Sequence, residues 1–350
     1  MSFKIERVPA PVWMRPLFIV LAVIITFLLV STLVLAAGAS PASAFYELLI
    51  NPLTRTGARA DILMMATPIL LTGIAVAVAF IAGYYNIGAE GQLYAGAIFA
   101  AWVGVHSEGF ESYVAIPLML AAGFIAGMLW ALIPALLKAY LSVDEVVTTL
   151  LLNSVMLFFV SALLNGPWRD PVSNWPQSPT IATSAQFPVL IPRSRVHFGA
   201  IVAVIAALSV WWTLSRTRFG LELRAIGKNK DAAKFLGIPV RRRLIAAALI
   251  SGGIAGLAGV SEVGGIHYYL IGTLSPGFGY TGIIVATLGA LSIPGVFISA
   301  LFLSLINRGA ISASRELSVP VYLSDVIQSV LLLVTLAALL LSQYRIRRER

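Results

Sequence analysis

Residues 17–37 read LFIVLAVIITFLLVSTLVLAA, 21 consecutive positions without a charged side chain. A helix needs about 20 apolar residues to cross roughly 30 Å of hydrocarbon, so this run alone predicts a membrane span. Its length exceeds the roughly 7 to 15 residues of a signal-peptide core. Lys4, Arg7 and Arg15 before it and ASPASA after it imitate a leader, but the run reads as a retained first span.

Working outward, the same texture returns at 62–82, 113–137, 146–164, 198–214, 244–261 and 326–343, with a shorter version at 91–105. None alternates with period two, so these are helices and not strands of an outer-membrane barrel. Residues 263–307 contain no Asp, Glu, Lys or Arg. That interval is too long for one span and suits two, broken near Ser292, Ile293, Pro294 and Gly295. The expectation is an all-α polytopic membrane protein of about ten transmembrane helices with broken or re-entrant segments. Of 350 residues 59% are hydrophobic and 11% charged, far below the quarter that is charged in soluble domains. A large soluble domain has no room, and residues 1–350 read as one transmembrane domain.

Charge sets the direction. With the amino terminus inside, 17 of the 24 basic residues lie on the cytoplasmic side, nine of them between Arg216 and Arg243 and four in the tail from Arg345 to Arg350. This matches the positive-inside rule and puts both termini in the cytoplasm. The lipid bilayer therefore accounts for the net charge of +9, and no nucleic acid is needed as partner. The chain has no cysteine, which removes disulfides and thiolate chemistry. No metal-ligand cluster, nucleotide loop or catalytic triad pattern occurs, which argues against an intramembrane enzyme, and the expectation is no catalytic residues and no cofactor of its own.

Four segments carry information. In NIGAEGQ, 86–92, Asn86, Glu90 and Gln92 sit between two apolar runs, where an ionisable group needs a cavity or partner. They either shape a bend beside a permeation path or tie down a broken helix through hydrogen bonds. In SVDEVVTT, 142–149, Ser142 and Glu145 fit a capping box, and Asn153 lies one turn further in, facing a helix or the pore. Ser251 to Gly259 repeats small residues at spacings of three and four, a face for close helix packing. The external segment 166–197 holds six prolines and two tryptophans and reads as an ordered or lipid-skimming cap.

The cytoplasmic loop 215–243 is the most specific, with nine basic and two acidic residues. Asn229 is placed to cap a short helix running to Phe235 and Leu236, Gly237 to end it, and Pro239 to stop continuation. With small Ala232 and Ala233 beside Phe235 and Leu236, such a helix fits a groove on another protein or docks on the chain's own cytoplasmic ends.

NIGAEGQ at 86–92, DEVVTTLLLN at 144–153 and RAIGKNKDAAKFLGI at 224–238 together resemble permease subunits of bacterial ABC importers, in the branch that includes ribose, branched-chain amino acid and nucleoside systems. The form GAEGQ with VVTT is similar to the longer permease of nucleoside or simple-sugar importers. The resemblance covers essentially the whole chain. It implies two inverted halves and alternating access driven by ATP–Mg in a separate ABC ATPase. A sister permease in a heterodimer and an extracytoplasmic solute-binding protein or lipoprotein are the other partners implied, in a bacterial plasma membrane. The segment from Gly227 through Asn229 to Gly237 corresponds to the family's ATPase-coupling element. Glu90 leaves a second reading open, an ion-coupled secondary transporter.

Overall fold

The computed structural model describes residues 3–7, 15–318, 320, 322–341 and 344–348. In chain order the main elements are a strand β1 (Phe3–Arg7) and helices α1 (Arg15–Ala36), α2 (Pro41–Phe45), α3 (Asn51–Thr54), α4 (Thr56–Ile81), α5 (Ala89–Val105), α6 (Ser112–Leu141) and α7 (Glu145–Asn165). There follow α8 (Gly199–Arg216), α9 (Arg218–Lys228), α10 (Lys230–Phe235), α11 (Val240–Glu262), α12 (Phe278–Leu288), α13 (Ile293–Leu317), α14 (Leu323–Leu341) and a strand β2 (Tyr344–Arg348). Among the described residues seven of these helices are long and apolar enough to cross a membrane, and α5 and α12, with 17 and 11 residues, are shorter. This is an all-α polytopic membrane protein. The end of the last apolar run, at Gln343, lies outside the described residues.

Two compact units divide the chain. One comprises Ala60–Leu301. Its centre is α5, α6 and α11, packed on one another with glycine at every crossing. A Cβ on Gly96 would fall 2.3 Å from the Gly256 carbonyl oxygen, and one on Gly127 would fall 2.1 Å from that of Gly252. The small-residue face 251–259 is thus a packing face, and the backbones meet because no side chain separates them. Helices α4 and α11 are mostly buried, whereas α6, α7 and α8 turn most of their surface outward.

The other unit comprises Met1–Arg59 and Phe302–Arg350. Within it α1 pairs with α14, and β1 pairs with β2 in an antiparallel ribbon from Phe3↔Arg348 to Arg7↔Tyr344. Residues 41–54 form short helical turns after α1, where Phe45 meets Phe27 edge to face at 5.0 Å between ring centroids. Gln328 donates to Asn307 at 2.7 Å, joining α14 to α13 through an amide pair.

Two sequence expectations need correction. The 263–307 interval breaks between Leu288 and Ile293 as expected, but its first half is not a full span. The helix of α11 continues to His267 as a π turn, 268–277 is irregular, and α12 has only 11 residues, about 16 Å of rise. The physical reason is local: Gly264, Gly265, Gly272, Pro276 and Gly277 disfavour helix, and partners elsewhere satisfy the backbone. Second, Ser142 and Glu145 form no capping box. Ser142 ends α6 in the left-handed region at φ 56°, and Asp144 is the N-cap of α7, accepting from Val146 N at 2.8 Å. Glu145 instead pairs with Lys138 at 2.5 Å.

The segment 166–197 is ordered. Its backbone amides at Ser178, Ile181 and Phe187 donate to the carbonyls of Leu270, Tyr268 and Gly264, and Ala182 donates to Gly104, all within 2.8–2.9 Å. It caps the ends of α5 and α11 together with the irregular stretch that leads into α12.

Candidate functional site: two helix breaks and a helical hairpin

Two of the breaks between helices within Ala60–Leu301, at 82–88 before α5 and at 268–277 before α12, meet. The Glu90 carboxylate, in the first turn of α5, accepts from the backbone N–H of Gly279, in the first turn of α12, at 2.7 Å. Two helix amino termini, each carrying a positive dipole end, are brought together around one buried carboxylate. Gly279 is required by the approach, since a Cβ there would lie 2.2 Å from Glu90 N.

Asn86, Glu90, Gln92 and Asn153 are each buried and engaged. Asn86 and Gln92 form a reciprocal amide pair, with Asn86 Nδ2 to Gln92 Oε1 at 2.8 Å and Gln92 Nε2 to Asn86 Oδ1 at 3.1 Å. Asn86 Nδ2 also donates to Ser251 Oγ at 2.9 Å, and Ser251 donates in turn to Ala75 O at 2.6 Å, so the break is tied to both α4 and α11. Asn86 Oδ1 further accepts from Gly88 N. Asn153, on α7, accepts from Gly91 N at 2.8 Å and donates to Ile87 O at 2.9 Å, replacing helical bonds that the break removes.

Tyr94, Thr72 and Trp130 escaped the sequence reading, whereas Ser275 and Tyr280 lie in the Gly-broken segment Ser275 to Thr281, a faint echo of Asn86 to Gln92 in the sequence. Tyr94 donates to Gly272 O at 2.9 Å and accepts from Ser275 N at 3.1 Å, pinning the second break to α5. Ahead of α12, Ser275 Oγ accepts from Gly277 N at 3.1 Å and from Phe278 N at 2.9 Å, and Thr72 donates to Phe278 O at 2.9 Å. The half-exposed Tyr280 hydroxyl receives Asn153 Nδ2 at 3.3 Å. Beside Asn153 and Gly91 the Trp130 Nε1–H is buried with no hydrogen-bond partner. The usable signal was that a tyrosine hydroxyl inside an apolar helix needs a partner.

On the basic loop, α9 and α10 form a hairpin. Asn229 accepts from Asp231 N and Ala232 N at 3.0 Å each, and Gly237 takes φ +76° while Ile238 N reaches back to Ala233 O at 3.1 Å. Cap and stop are therefore where the sequence put them. Phe235 and Leu236 are 93% and 74% exposed and Ala232 is exposed, but Ala233 is 1% exposed and faces the chain's own interior. The free face is Ala232, Phe235 and Leu236, and Ala233 is removed from it. Its burial follows from the short α10 folding back on α9.

Glu222 on α9 locks the hairpin to its flanks, accepting from Arg218 Nε at 2.9 Å and from Arg243 at the start of α11. Burial pushes this carboxyl up, and the hydrogen bonds from Arg243 and Arg218 outweigh it, leaving its pKa below the ordinary value. The far end of α9 rests on the first break: a Cβ on Gly227 would fall 2.0 Å from Ile81 O, and Gly83 faces Gly227. One contiguous path of contacts thus runs from the exposed Phe235 and Leu236 through α9 to 82–88 and on to Asn86 and Glu90.

Among the described residues no group of three or more His, Asp or Glu side chains is arranged to hold a metal ion.

Residues 58–336 match the family described as "Branched-chain amino acid transport system / permease component". The chain is 32% identical to the glucose ABC transporter permease protein TsgB13 of Haloferax volcanii, over 97% of this chain and 92% of that protein. It is 33% identical to the guanosine ABC transporter permease protein NupP of Bacillus subtilis, over 89% and 90%. A second guanosine permease protein of that organism, NupQ, is 30% identical over 56% of this chain and 64% of its own length.

Proposed function

Because the chain belongs to the branched-chain amino acid transport system permease family, and is a permease component of an ABC importer, we propose that it carries an uncharged polar solute inward, a nucleoside first and a simple sugar second. The observation that carries this reading is the path from the exposed α10 face through Gly227 to the paired breaks. A partner that pushes on Phe235 and Leu236 displaces the end of α4 and, with it, the segment that Asn86 and Gln92 hold. The broken helices are the bistable element that alternating access requires.

Hydrolysis of ATP–Mg takes place in a separate ATPase subunit docked on the hairpin. A sister permease completes the pathway as a heterodimer, supported by the pair of guanosine permeases NupP and NupQ in one organism. An extracytoplasmic binding protein or lipoprotein delivers the solute to the ordered cap at 166–197. Both termini face the cytoplasm of a bacterial plasma membrane, which the side-by-side pairing of β1 and β2 supports by putting the two ends on one side. Residues 1–350 act as one permease domain.

The solute class is supported by the relatives' substrates and by the lining chemistry. Around the breaks the chain supplies amides, hydroxyls and aromatic rings, with Glu90 already spent on Gly279 and no basic cluster to hold a phosphate or carboxylate. Uptake of labelled guanosine by the assembled importer, competed by nucleosides, hexoses and nucleoside monophosphates, tests this. Competition by nucleosides is expected; transport of the monophosphates and not of nucleosides would overturn the solute class. The ion-coupled alternative is not favoured, because the carboxylate it needs serves as a helix-terminus acceptor.

A further inference from the structure

At the capped end of the Ala60–Leu301 unit a pocket of about 310 Å³ opens where α7, the cap and the second break come together. Ser161 and Asn165 enter its lining from the end of α7, Trp175 and Gln177 from the cap, and Gly272 and Thr273 from the break; the rest of the lining is apolar. The volume lies at the low end of the roughly 300–1,000 Å³ of small-molecule sites. None of the lining side chains is charged. Asp170, whose backbone N–H donates to Gln177 O at 2.8 Å, is spent on the amides of Val172 and Ser173 at 3.1 and 3.2 Å.

The pocket combines an open aromatic ring with unused hydrogen-bonding atoms. Trp175 is 69% exposed. Asn165 gives its Nδ2 to Ser161 O at 2.9 Å, while its Oδ1 and the Thr273 hydroxyl have no partner among the described residues. A lipid chain seated there would strip water from these groups and return no bond, which is costly; an uncharged polar ligand would replace the water. The frame is tied to the breaks. Gln177 bridges Ile271 in antiparallel register, Ser178 and Leu270 exchange two bonds at 2.9 Å, and Gly272 O accepts from Tyr94 on α5, the helix that carries Glu90. Twelve residues back along α7 from Asn165, about 18 Å, Asn153 meets Tyr280 at the other end of the same break.

We infer that this pocket is an entry subsite for the solute on the outer side of the permease, holding a nucleoside whose base stacks on Trp175 and whose polar edge or ribose hydroxyls bond to Asn165 and Thr273. Stacking on an aromatic side chain accepts any base, and a few amides and hydroxyls then fix its orientation. The site rests on the nucleoside reading proposed above and deepens it, because it names where the solute meets this chain before the breaks part. A ligand held between Trp175 and Thr273 touches both the cap and the second break, so its arrival bears directly on the segment that Glu90 and Tyr94 hold.

A light-activated azido derivative of guanosine, applied to the importer in nanodiscs without its binding protein, tests the site. Label should fall on the peptides holding 161–177 and 271–273, and guanosine but not guanosine monophosphate should displace it. At a subsaturating dose Trp175→Ala should cut labelling by about fivefold, the loss of one stacked base, and Trp175→Phe should keep most of it. Thr273→Val should cut it by about threefold, the loss of one hydrogen bond. Unfolding midpoints should not move, since both side chains are exposed. Parental labelling in Trp175→Ala and Thr273→Val would overturn the site, as would label confined to other segments. So would a Trp175→Ala protein that docks the binding protein poorly and is labelled as the parent is, because the cap would then be a docking surface. A parent that imports guanosine and stays unlabelled at the pocket overturns this site alone. A parent that imports hexoses and no nucleoside overturns the solute class proposed above, and the ligand of the site with it.

Discussion

Glu90 and Gly279 lie 189 residues apart in sequence, and the carboxylate of the first accepts the backbone N–H of the second at 2.7 Å, joining the first turns of two interrupted helices. An acceptor is what the bond requires. Glu90→Gln keeps one and should transport within a few-fold of the parent, whereas Glu90→Ala leaves a buried N–H unmet and should cost about 1–3 kcal/mol of stability. Thermal unfolding in detergent and uptake rates, compared for the two variants, check this; equal damage from both would mean that charge and not acceptance is what matters.

Asn86 and Gln92 act as one unit. Their reciprocal amide pair should give a coupling energy of about 0.5–3 kcal/mol in a double-mutant cycle of Asn86→Ala and Gln92→Ala. Additive losses would show that the pair does not hold the break.

The hairpin separates docking from folding. Phe235→Ser and Leu236→Ser alter only the exposed face, so they should weaken co-purification of the ATPase by about 2 kcal/mol or more while leaving the unfolding midpoint alone. Ala233→Trp acts the other way, because the site is filled from inside; overpacking should cost about 1–3 kcal/mol of stability before any docking is measured. Unfolding midpoints and pull-down yields on the three variants distinguish the two effects.

His197, in the cap, is 1% exposed, and burial holds its pKa down to about 4. Its Nδ1 accepts from Gly199 N at 3.1 Å, which leaves the proton on Nε2. The unfolded chain takes up a proton near pH 6.5 and the folded one only near 4, so stability is complete above 6.5 and is lost as pH falls through that window. At pH 5 the loss should be about 2 kcal/mol relative to pH 7.5. His197→Asn keeps an acceptor and should flatten the dependence between those pH values, as read from unfolding midpoints.

The spans were legible because a charge-free run of about 20 residues is a local property of sequence. The cap at Asn229 and the turn at Gly237 were legible for the same reason: both are decided within a few residues. What sequence could not supply were decisions made across the fold. The 11-residue α12 is short because Glu90, Tyr94 and Thr72 satisfy backbone groups from elsewhere. Ala233 looks as free as Ala232 until α10 folds onto α9, and Asp144 outcompetes Ser142 only because α6 ends in a left-handed turn. The β1–β2 ribbon joins segments at opposite ends of the chain, five residues each, too short to stand apart from loop in a local reading.

The claim on which everything else depends is that motion enters through the hairpin and is powered by ATP. Uptake of solute into vesicles holding the reconstituted importer, with proton and sodium gradients collapsed, measures it directly. Uptake should persist with ATP, stop when the ATPase partner is made hydrolysis-deficient, and fall with Phe235→Ser. Uptake that runs on an ion gradient without ATP, at the parental rate in Phe235→Ser, would contradict it.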